Sequence, residues 1–417
     1  MEALEAEQLE EPLLVWLASG ETDAVGPVLG GILVQDVSWH SIFYLNVPIG
    51  IAGILLTRWA VRESRDERAP RAVDVFGLVT LTVSLFCLVL ALIQASSADK
   101  GWTAPYILAL FAVAAVALAA FIIGELRLKH PRVDLRIFRI PSYTGAAVAS
   151  FAVSAGLFSL FFFLTLYLQN YLGFSPLQAG LRFLPLSGLV LVTAPLAGAF
   201  THRLGAKPIL FTGMAILALA VALMTGISPA DTQAEWLVPL PAFILGGLGN
   251  GLVNPPIADV AVGTVPRELA GMASGVNGVC RQVGIALGIA VLGAQLSNVY
   301  DAGVRAGIST LKFGNNPPQV QHTIQQSIIS GIQQAGTFAA STGFRQLPPQ
   351  FAKFATQPDL PTIQSIIQHS FINGLVNILW VAAGLIALGA VAALLLVRRS
   401  DMIHGERPED ATDGGGG

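Results

Sequence analysis

Nine stretches of this chain are long enough and apolar enough to cross a membrane, and no other feature constrains its fold as strongly. An α-helix rises 1.5 Å per residue, so a hydrocarbon core of about 30 Å needs roughly 20 residues. The stretches are Ile42–Val61, Val75–Ala95, Pro105–Gly124, Tyr143–Leu168, Ala179–Phe200, Pro208–Ile227, Pro239–Ala258, Gly271–Leu296 and Phe371–Val397. Charged residues are 12% of the chain, against about 25% in soluble domains. The sequence predicts an all-α polytopic membrane protein whose partner is the lipid bilayer.

Lysine and arginine concentrate in alternate loops between these stretches. If every stretch crosses the membrane, 16 basic residues fall on one side, and the short loops of the other side hold Lys100 and little else. The 16 are Arg58, Arg62, Arg65, Arg68, Arg71, Arg127, Lys129, Arg132, Arg136, Arg139, Arg203, Lys207, Arg267, Arg398, Arg399 and Arg407. The positive-inside rule then predicts that these loops and the C-terminus face the cytoplasm of a multi-pass protein of the cell membrane.

Several segments do not resemble membrane spans. Residues 1–23 carry acidic side chains and no basic region typical of a cleavable signal peptide. The apolar stretch 24–34 is about half a span, and we interpret it as the end of a longer one. Residues 62–74 are predicted to be a cytoplasmic linker and residues 398–417 a disordered cytoplasmic tail. The loop 297–370 is predicted to lie outside; its segment 319–334 is either an amphipathic helix with Val320, Ile324, Ile328 and Ile332 on one stripe, or part of a disordered cap.

Pairs of glycines four residues apart mark the later spans: Gly247 and Gly251, Gly271 and Gly275, Gly284 and Gly288. Small residues at this spacing share one helix face and let two helices approach closely. The pairs indicate either tight packing alone or faces that slide against each other during alternating access.

Polar side chains at membrane depth are the second set of candidates. Asn250 and Asn254 lie one turn apart in one span, and Asn277, Arg281 and Gln282 lie midway along the next. An arginine at that depth costs about 2.5–3.5 kcal/mol on insertion scales, so it should face a cavity or a partner. Asp259 is the acid of nearest depth, and the sequence leaves open whether Arg281 is structural or takes part in substrate binding or gating.

Aromatic residues crowd a single span: Phe158, Phe161, Phe162, Phe163 and Tyr167. They are either lipid-facing and core residues or the wall of a cavity for apolar or cationic ligands, for which Phe162 and Tyr167 are the candidates.

Catalytic signatures are missing from the sequence. No predicted span has an Asp or Glu in its middle third, and the six histidines are scattered over loops. Neither a nucleophile set, a zinc motif nor a phosphate-binding loop occurs. Cys87 and Cys280 both lie in spans, which favours packing residues over disulfide or metal chemistry. The sequence predicts no enzyme, no metal, no cofactor and no nucleic-acid partner.

Several blocks of residues together resemble the major facilitator superfamily, in its fourteen-span drug:proton antiporter branch. The blocks are Gly26-Pro27-x-x-Gly30-Gly31, Ser38 to Gly50 with Asn46 and Pro48, Asp74-x-x-Gly77, His130 to Arg139, Gly173 to Leu181, and Gly271 to Gly275 followed by Arg281-Gln282-Val283-Gly284. The resemblance covers about residues 24–397 and implies spans five (partial) to fourteen.

The resemblance also implies a division of the chain and a set of roles. Residues 24–61 would be the remnant of an N-terminal bundle, 75–125 two central extra spans joined by the loop 126–142 to a six-span C-terminal bundle, 143–397. Gly26, Pro27, Gly30 and Gly31 would form the antiporter motif, a bend that favours export. Asn46, Pro48, Asp74 and Asp259 would belong to gating loops. Substrates would be hydrophobic or cationic small molecules exchanged for protons, so the proton gradient takes the place of a cofactor.

The chain departs from the family pattern in ways that shape the expected function. The first four spans of the family, with its usual proton-binding acid, have no counterpart, His40 stands where the family has arginine, and His202 stands where aspartate is common. We therefore expect an N-terminally truncated exporter that cannot complete a transport cycle by itself. The alternatives are a non-transporting or degenerate membrane remnant and an exporter of an endogenous metabolite. The oligomeric state is open.

Overall fold

The computed structural model describes residues 26–60, 75–95, 102–127, 134–229, 236–312, 317–341 and 360–402. Their helices are α1 (Gly26–Val37), α2 (Ser41–Ala60), α3 (Val75–Ala95), α4 (Pro105–Arg127), α5 (Pro141–Tyr171), α6 (Pro176–Leu204), α7 (Ala206–Leu223), α8 (Leu240–Gly263), α9 (Ala270–Ser309), α10 (Pro318–Ser341) and α11 (Leu360–Leu396). These ranges contain no strand. The predicted all-α fold is confirmed.

Eight helices in the described ranges are long and apolar enough to cross a membrane, namely α2 to α7, α9 and α11. The remaining predicted span, Pro239–Ala258, forms the 24-residue helix α8. Its mean hydropathy is lower because Asn250, Asn254 and two prolines interrupt the apolar sequence. More than half of its residues are buried against neighbouring helices. A helix that other helices cover has little contact with lipid, so its residues need not be as hydrophobic as those of a lipid-exposed helix.

Six helices, α5 to α9 and α11, form one bundle with a continuous apolar core. Helix α8 packs between α6 and α7, while α11 packs on α5, α7 and α9. The hairpin α3–α4 contacts α9, and α1 contacts the start of α6. Helix α2 contacts α1, and none of its residues in the membrane window is buried.

Both ends of the bundle are defined by contacts between connecting segments. At one end the Ser142 hydroxyl lies 2.7 Å from Asp401 Oδ2, and the Asp134 amide lies 3.1 Å from Met272 Sδ. Arg139, Arg203 and Arg398 border this end, which we call the basic end. The connections α5–α6, α7–α8 and the helix α10 lie at the opposite end.

Helix α6 shows how local sequence sets the helix limits. Ser175 caps it, since its hydroxyl accepts from the Gln178 amide while Gln178 Oε1 accepts from the Ser175 amide. Pro176 follows at a first-turn position, where its missing N–H is harmless. The helix ends at Gly205, whose φ of 88° is a left-handed conformation that glycine adopts without a Cβ penalty. Helix α7 then starts at once.

Helix α5 is regular except at two π-helical turns, Ser154–Phe158 and Tyr167–Tyr171. Such turns insert one residue into the helix and often occur at functional sites. Gly156 lies in the first, where an added Cβ would be 2.7 Å from the Ile386 side chain of α11. The first π turn therefore lies against α11, and the second lies at the end of α5.

The described parts of the predicted outer loop 297–370 are largely helical. Two of the predicted spans therefore have different limits in the structure. Helix α9 continues to Ser309 rather than ending at Leu296, and α11 begins at Leu360 rather than at Phe371. The extensions bury Tyr300, Val304 and Ile308 on α9 and Ile363 and Ile367 on α11. Their apolar stripes are only one residue wide per turn, so a mean over a whole window does not detect them.

Residues 319–334, for which an amphipathic helix and a disordered cap were both possible, lie within helix α10. The segment is helical, with Ile328 and Ile332 buried and Ile324 half-buried against the core. Val320 is 44% exposed, so the predicted stripe is one residue too long. Val320 lies in the first turn of α10, before the part of the helix that packs.

Candidate functional site

A cavity of about 410 Å³ lies between α1, α5, α6 and α8. Its wall is mostly apolar and aromatic, with three polar side chains. It is lined by Gly26, Pro27, Phe158, Phe161, Thr165, Phe183, Leu186, Ser187, Val190 and Asn250. A few polar groups in an apolar wall are typical of small-molecule sites, and the volume falls within their usual range. The predicted candidates Gly26, Pro27 and Asn250 are brought together here.

The aromatic residues of the cavity touch one another. The ring centroids of Phe158 and Phe161 are 6.1 Å apart, and those of Phe161 and Phe183 are 5.4 Å apart. Phe183 continues the series to Phe243 of α8, at 5.6 Å. Tilted pairs at these distances stabilise each other beyond simple burial. The series joins α5, α6 and α8 across the cavity wall.

Hydrogen bonds fix what the polar groups can offer a ligand. Asn254 Nδ2 donates to Asn250 Oδ1 over 3.1 Å, which leaves the Asn250 amide its NH₂ donors and one lone pair on the oxygen. Thr165 donates its hydroxyl proton to the carbonyl oxygen of Phe161, at 2.7 Å, which leaves a lone pair as acceptor. Asn250 itself is 3% exposed. The cavity therefore offers at least one donor and one acceptor.

Helix α1 meets α6 at two glycines. A Cβ on Gly31 would be 2.8 Å from the Pro176 carbonyl oxygen, and a Cβ on Gly180 would overlap the carbonyl oxygen of Pro27. The Leu177 amide donates to Gln35 Oε1 over 3.4 Å. By contrast, nothing lies within 4 Å of a Cβ on Gly26 or Gly30. Of the four residues predicted to form an antiporter motif, Pro27 and Gly31 thus lie against α6, whereas Gly26 and Gly30 face open space.

Helix α8 meets α6 through the predicted pair Gly247 and Gly251. A Cβ on Gly247 would be 2.9 Å from Leu189 Cβ, and one on Gly251 would overlap Thr193 Oγ1. Thr193 Oγ1 lies 2.8 Å from the carbonyl oxygen of Leu189 and 3.4 Å from that of Gly247. This pair is a close-packing contact.

The two glycine pairs of α9 face different surroundings. A Cβ on Gly284 would be 2.8 Å from the Phe151 carbonyl oxygen, and one on Gly288 would be 2.7 Å from Ala155 Cα, so this pair packs on α5. Nothing lies within 4 Å of a Cβ on Gly271 or Gly275. One pair is therefore a helix contact and the other is an open face.

The predicted polar residues of α9 lie on or beside that open face. Arg281 and Gln282 are exposed, and Asn277 is half-buried with a buried Oδ1 that accepts no hydrogen bond. Asp259 is also exposed, and no ion pair in the described part of the chain joins it to Arg281. The structure does not bring this group into the cavity.

Other predicted candidates lie away from the cavity as well. Phe162 is 50% exposed, on the side of α5 opposite to the core, and Tyr167 is 1% exposed and stacks on Tyr171 at 5.6 Å. Asn46 and Pro48 lie on α2, both exposed. Asp74 and His130 fall outside the described residues.

Beyond the cavity, the opposite end is tied by an arginine between two aromatic rings. The Arg182 guanidinium carbon lies 3.4 Å from the centroid of the Phe174 ring and 4.9 Å from that of Trp236. Arg182 also donates to the Gln178 carbonyl oxygen over 2.8 Å. The Tyr171 hydroxyl donates to the Pro229 carbonyl oxygen over 2.7 Å. These contacts connect the α5–α6 turn to the segments that flank the α7–α8 connection.

The chain matches the sequence pattern of the Major Facilitator Superfamily over residues 22–289. It is 32% identical over 387 residues to the tetracenomycin C resistance and export protein of Streptomyces glaucescens, covering 92% of this chain and 67% of that protein. This chain belongs to the Major Facilitator Superfamily. The eight apolar helices and the six-helix bundle agree with that assignment, which indicates a membrane transporter rather than an enzyme.

Two further superfamily members are similar over a smaller part of the chain. The multidrug resistance protein Stp of Mycobacterium tuberculosis is 36% identical over 294 residues, which cover 70% of this chain and 53% of Stp. The methylenomycin A resistance protein of Streptomyces coelicolor is 33% identical over 316 residues, 74% of this chain and 64% of that protein. The chain thus spans about half to two thirds of the length of these superfamily members.

Five cavity residues were not predicted from the sequence: Thr165, Phe183, Leu186, Ser187 and Val190. Each is one small or apolar residue within an apolar span, and only the packing of α5 against α6 and α8 shows that it borders a cavity. The buried acid Glu125, 4% exposed in α4, was also missed because it lies near the helix end rather than mid-span. Its neighbour Gly124 lies against the Phe76 ring in the first turn of α3.

At the basic end of the superfamily bundle, the segment after α11 is held by the start of α5. Asp401 Oδ2 accepts from the Ser142 hydroxyl at 2.7 Å and from the Ser142 amide at 3.3 Å. These bonds hold the pKa of the Asp401 carboxyl below its ordinary value, chiefly through the Ser142 hydroxyl. Within the described ranges, no three His, Cys, Asp or Glu side chains come together in a way that could hold a metal ion.

Proposed function

We propose that this chain forms the substrate-binding part of a secondary active exporter of hydrophobic or cationic small molecules, coupled to proton entry, from the fourteen-span branch of the superfamily. The observation that carries the proposal is the aromatic cavity of about 410 Å³ that α1, α5, α6 and α8 enclose. The names of its relatives support the same class of cargo: a tetracenomycin C resistance and export protein, a methylenomycin A resistance protein and a multidrug resistance protein.

The orientation we propose follows from charge. Arg139, Arg203, Lys207, Arg267 and Arg398 lie at the basic end, and positive charge is retained in the cytoplasm. The C-terminus would then be cytoplasmic and the opposite end would face outwards. Substrate would leave past Arg182 and the Phe174 and Trp236 rings that hold it.

Roles for the remaining candidates follow from their surroundings. Gly26 and Pro27 would shape the cavity wall, Gly31 would set how closely α1 approaches α6, and Gly30 would add to the bend of the antiporter motif. The open face of α9, with Gly271, Gly275, Asn277, Arg281 and Gln282, would meet a moving partner surface during alternating access. Asn46, Pro48, Asp74 and Asp259 would belong to the gating segments.

Ligand binding by the purified 417-residue chain is the first test. Nile red, a neutral dye, and ethidium, a cation, would be titrated by fluorescence against the protein in zwitterionic nanodiscs. Saturable binding is expected for at least one dye, and Phe161→Ala and Asn250→Leu should weaken it about tenfold, the effect of losing roughly 1.4 kcal/mol. Phe162→Ala is the matched control, since that neighbouring ring faces away from the core. Absence of saturable binding would overturn the proposal.

Export itself would be tested in the source organism. Deleting the coding sequence should raise dye accumulation, and a protonophore should raise it equally in the parent strain. If the chain binds dye but deletion and protonophore leave accumulation unchanged, the non-transporting alternative is the correct one. If the deletion strain instead retains an endogenous compound and no dye, the cargo is a metabolite.

A further inference from the structure

The cavity has a charge character that follows from the side chains around it. None of its described lining residues carries a carboxylate, and the polar ones are Thr165, Ser187 and Asn250. A cation moved from water into such a wall loses hydration and gains no counter-ion, which is costly in an apolar site. The wall alone therefore favours uncharged ligands over cations.

Cation–π attraction is the effect that would oppose this preference. Phe161 and Phe183 are already packed on each other, at 5.4 Å, and Phe183 is also packed on Phe243. Their faces are thus partly covered by neighbouring rings. Cation–π contacts are worth about 0.5–2 kcal/mol and need an open ring face. A flat aromatic ligand, in contrast, can pack its own face against the ring edges that remain.

One arginine adds positive charge at one end of this wall. Arg182 precedes the lining residue Phe183 and lies one helical turn from the lining residue Leu186, on the side towards the opposite end. Its guanidinium is held between Phe174 and Trp236, so its position is fixed. Nε of Arg182 is buried without a hydrogen-bond partner among the described residues. Arginine remains charged in proteins.

The hydrogen-bonding groups select ligand atoms of the complementary kind. With Asn250 Oδ1 engaged by Asn254, the amide of Asn250 presents NH₂ donors, which suit a carbonyl, phenolate or carboxylate oxygen. With its proton given to Phe161, Thr165 presents an acceptor, which suits a hydroxyl group. A ligand that carries both oxygen types on a flat ring system fits the pair.

We infer that the cavity selects planar aromatic compounds that are neutral or acidic and carry carbonyl and hydroxyl oxygens, and that Arg182 sets the preference against cations. The inference rests on the proposed function and narrows its substrate class. From its fixed position beside the wall, Arg182 changes the affinity of the cavity for ligands of different charge, so it is a specificity-determining residue.

Three fluorescent probes of one size test the charge preference. They are 9-anthracenecarboxylate, 9-anthracenemethanol and (9-anthracenylmethyl)trimethylammonium, titrated against the full chain in zwitterionic nanodiscs. The carboxylate and the alcohol should bind on the order of tenfold more tightly than the ammonium, the size expected from one charge–charge interaction near a protein surface. Equal or tighter binding of the ammonium would overturn the inference.

Variants separate the charge of Arg182 from its packing. Arg182→Gln should reduce the carboxylate-to-ammonium affinity ratio several-fold while the alcohol affinity stays within about twofold, which shows that the cavity is intact. Arg182→Lys keeps the charge and should keep the ratio. Arg136→Gln, which removes an exposed arginine at the basic end, is the matched control and should change none of the three affinities. A ratio that Arg182→Gln leaves unchanged would contradict the role of this residue.

The outcomes also separate this inference from the proposed function. If the ammonium binds best and Phe161→Ala weakens it, the cavity is a ligand site with the opposite charge preference, and only the inference fails. If none of the probes, Nile red or ethidium binds saturably, the proposed function fails with it.

Discussion

Helices α2 and α8 have similar lengths, 20 and 24 residues, and opposite surroundings. Helix α2 passes the hydropathy criterion for a membrane span although none of its window is buried, whereas α8 does not pass it although it is among the best packed helices of the bundle. The comparison shows that hydropathy reports contact with lipid, and that glycine and asparagine report contact with protein. Side chains that lower the apolar score of α8 are those that form its contacts.

The largest expected difference between the two helices is steric. Gly251→Val on α8 places methyl groups where Thr193 lies and should destabilise the fold by about 3 kcal/mol, the upper range for overpacking. Gly53→Val on α2 is the matched control, because nothing lies within 4 Å of a Cβ there. Thermal unfolding in nanodiscs, followed by tryptophan fluorescence, measures both. Equal destabilisation by the two variants would show that α2 is packed in the membrane.

Asparagines on the two helices should differ in ligand binding. Asn250→Leu on α8 removes the donor in the cavity and should raise the dissociation constant of 9-anthracenecarboxylate about tenfold, equivalent to one hydrogen bond of about 1.4 kcal/mol. Asn46→Leu on α2 should leave it unchanged, since Asn46 is exposed and is not a lining residue. An equal effect of the two substitutions would refute the assignment of the cavity.

Gln295 and Asn377 provide a smaller effect within the packed bundle. Gln295 Nε2 donates to Asn377 Oδ1 over 3.0 Å and joins α9 to α11. A double-mutant cycle with Gln295→Leu and Asn377→Leu should give a coupling free energy of about 0.6 kcal/mol, the mean for such bonds in membranes. A coupling of zero in the unfolding measurements would mean that packing alone holds the two helices together.

The smallest effect should be a dependence on pH at the basic end. Because the folded-state pKa of Asp401 is lowered, its bonds to Ser142 stabilise the fold above the ordinary carboxyl pKa. This contribution disappears as the pH falls through the lowered folded-state value. Asp401→Asn should therefore reduce the unfolding temperature slightly at neutral pH and have no effect in strong acid. A reduction that is the same at all pH values would point to lost packing.

Local sequence patterns predicted the helices of this fold well where a single physical rule sets the helix limits. The limits of α3 were predicted at Val75 and Ala95, because hydropathy changes sharply there. The superfamily was predicted from short blocks in order, and the sequence comparison confirms it. The extensions of α9 and α11 escaped prediction because their apolar stripes are narrow and each depends on the other helix.

The candidate site was predicted only in part, for a geometric reason. Asn250 could be singled out because an amide at membrane depth needs a partner. Phe161 and Phe162 could not be told apart, since their surroundings differ by a rotation of about 100° on one helix, and a π turn upstream shifts that rotation. The pairs Gly271–Gly275 and Gly284–Gly288 have the same spacing, yet only packing shows that one is open and the other closed.

The π turn at Ser154–Phe158 gives α5 two angular phases within one span. Ala152, before the turn, meets Gly389 of α11, whereas Phe161, after it, reaches the cavity. Because the turn holds one extra residue, winding the same sequence as a regular α-helix would rotate every downstream side chain by about 100°. Phe161 would leave the cavity, and Tyr171 would lose Pro229. An alignment with a regular helix therefore needs a one-residue gap here, because an ungapped alignment would compare side chains on different faces although their sequence neighbourhoods look the same.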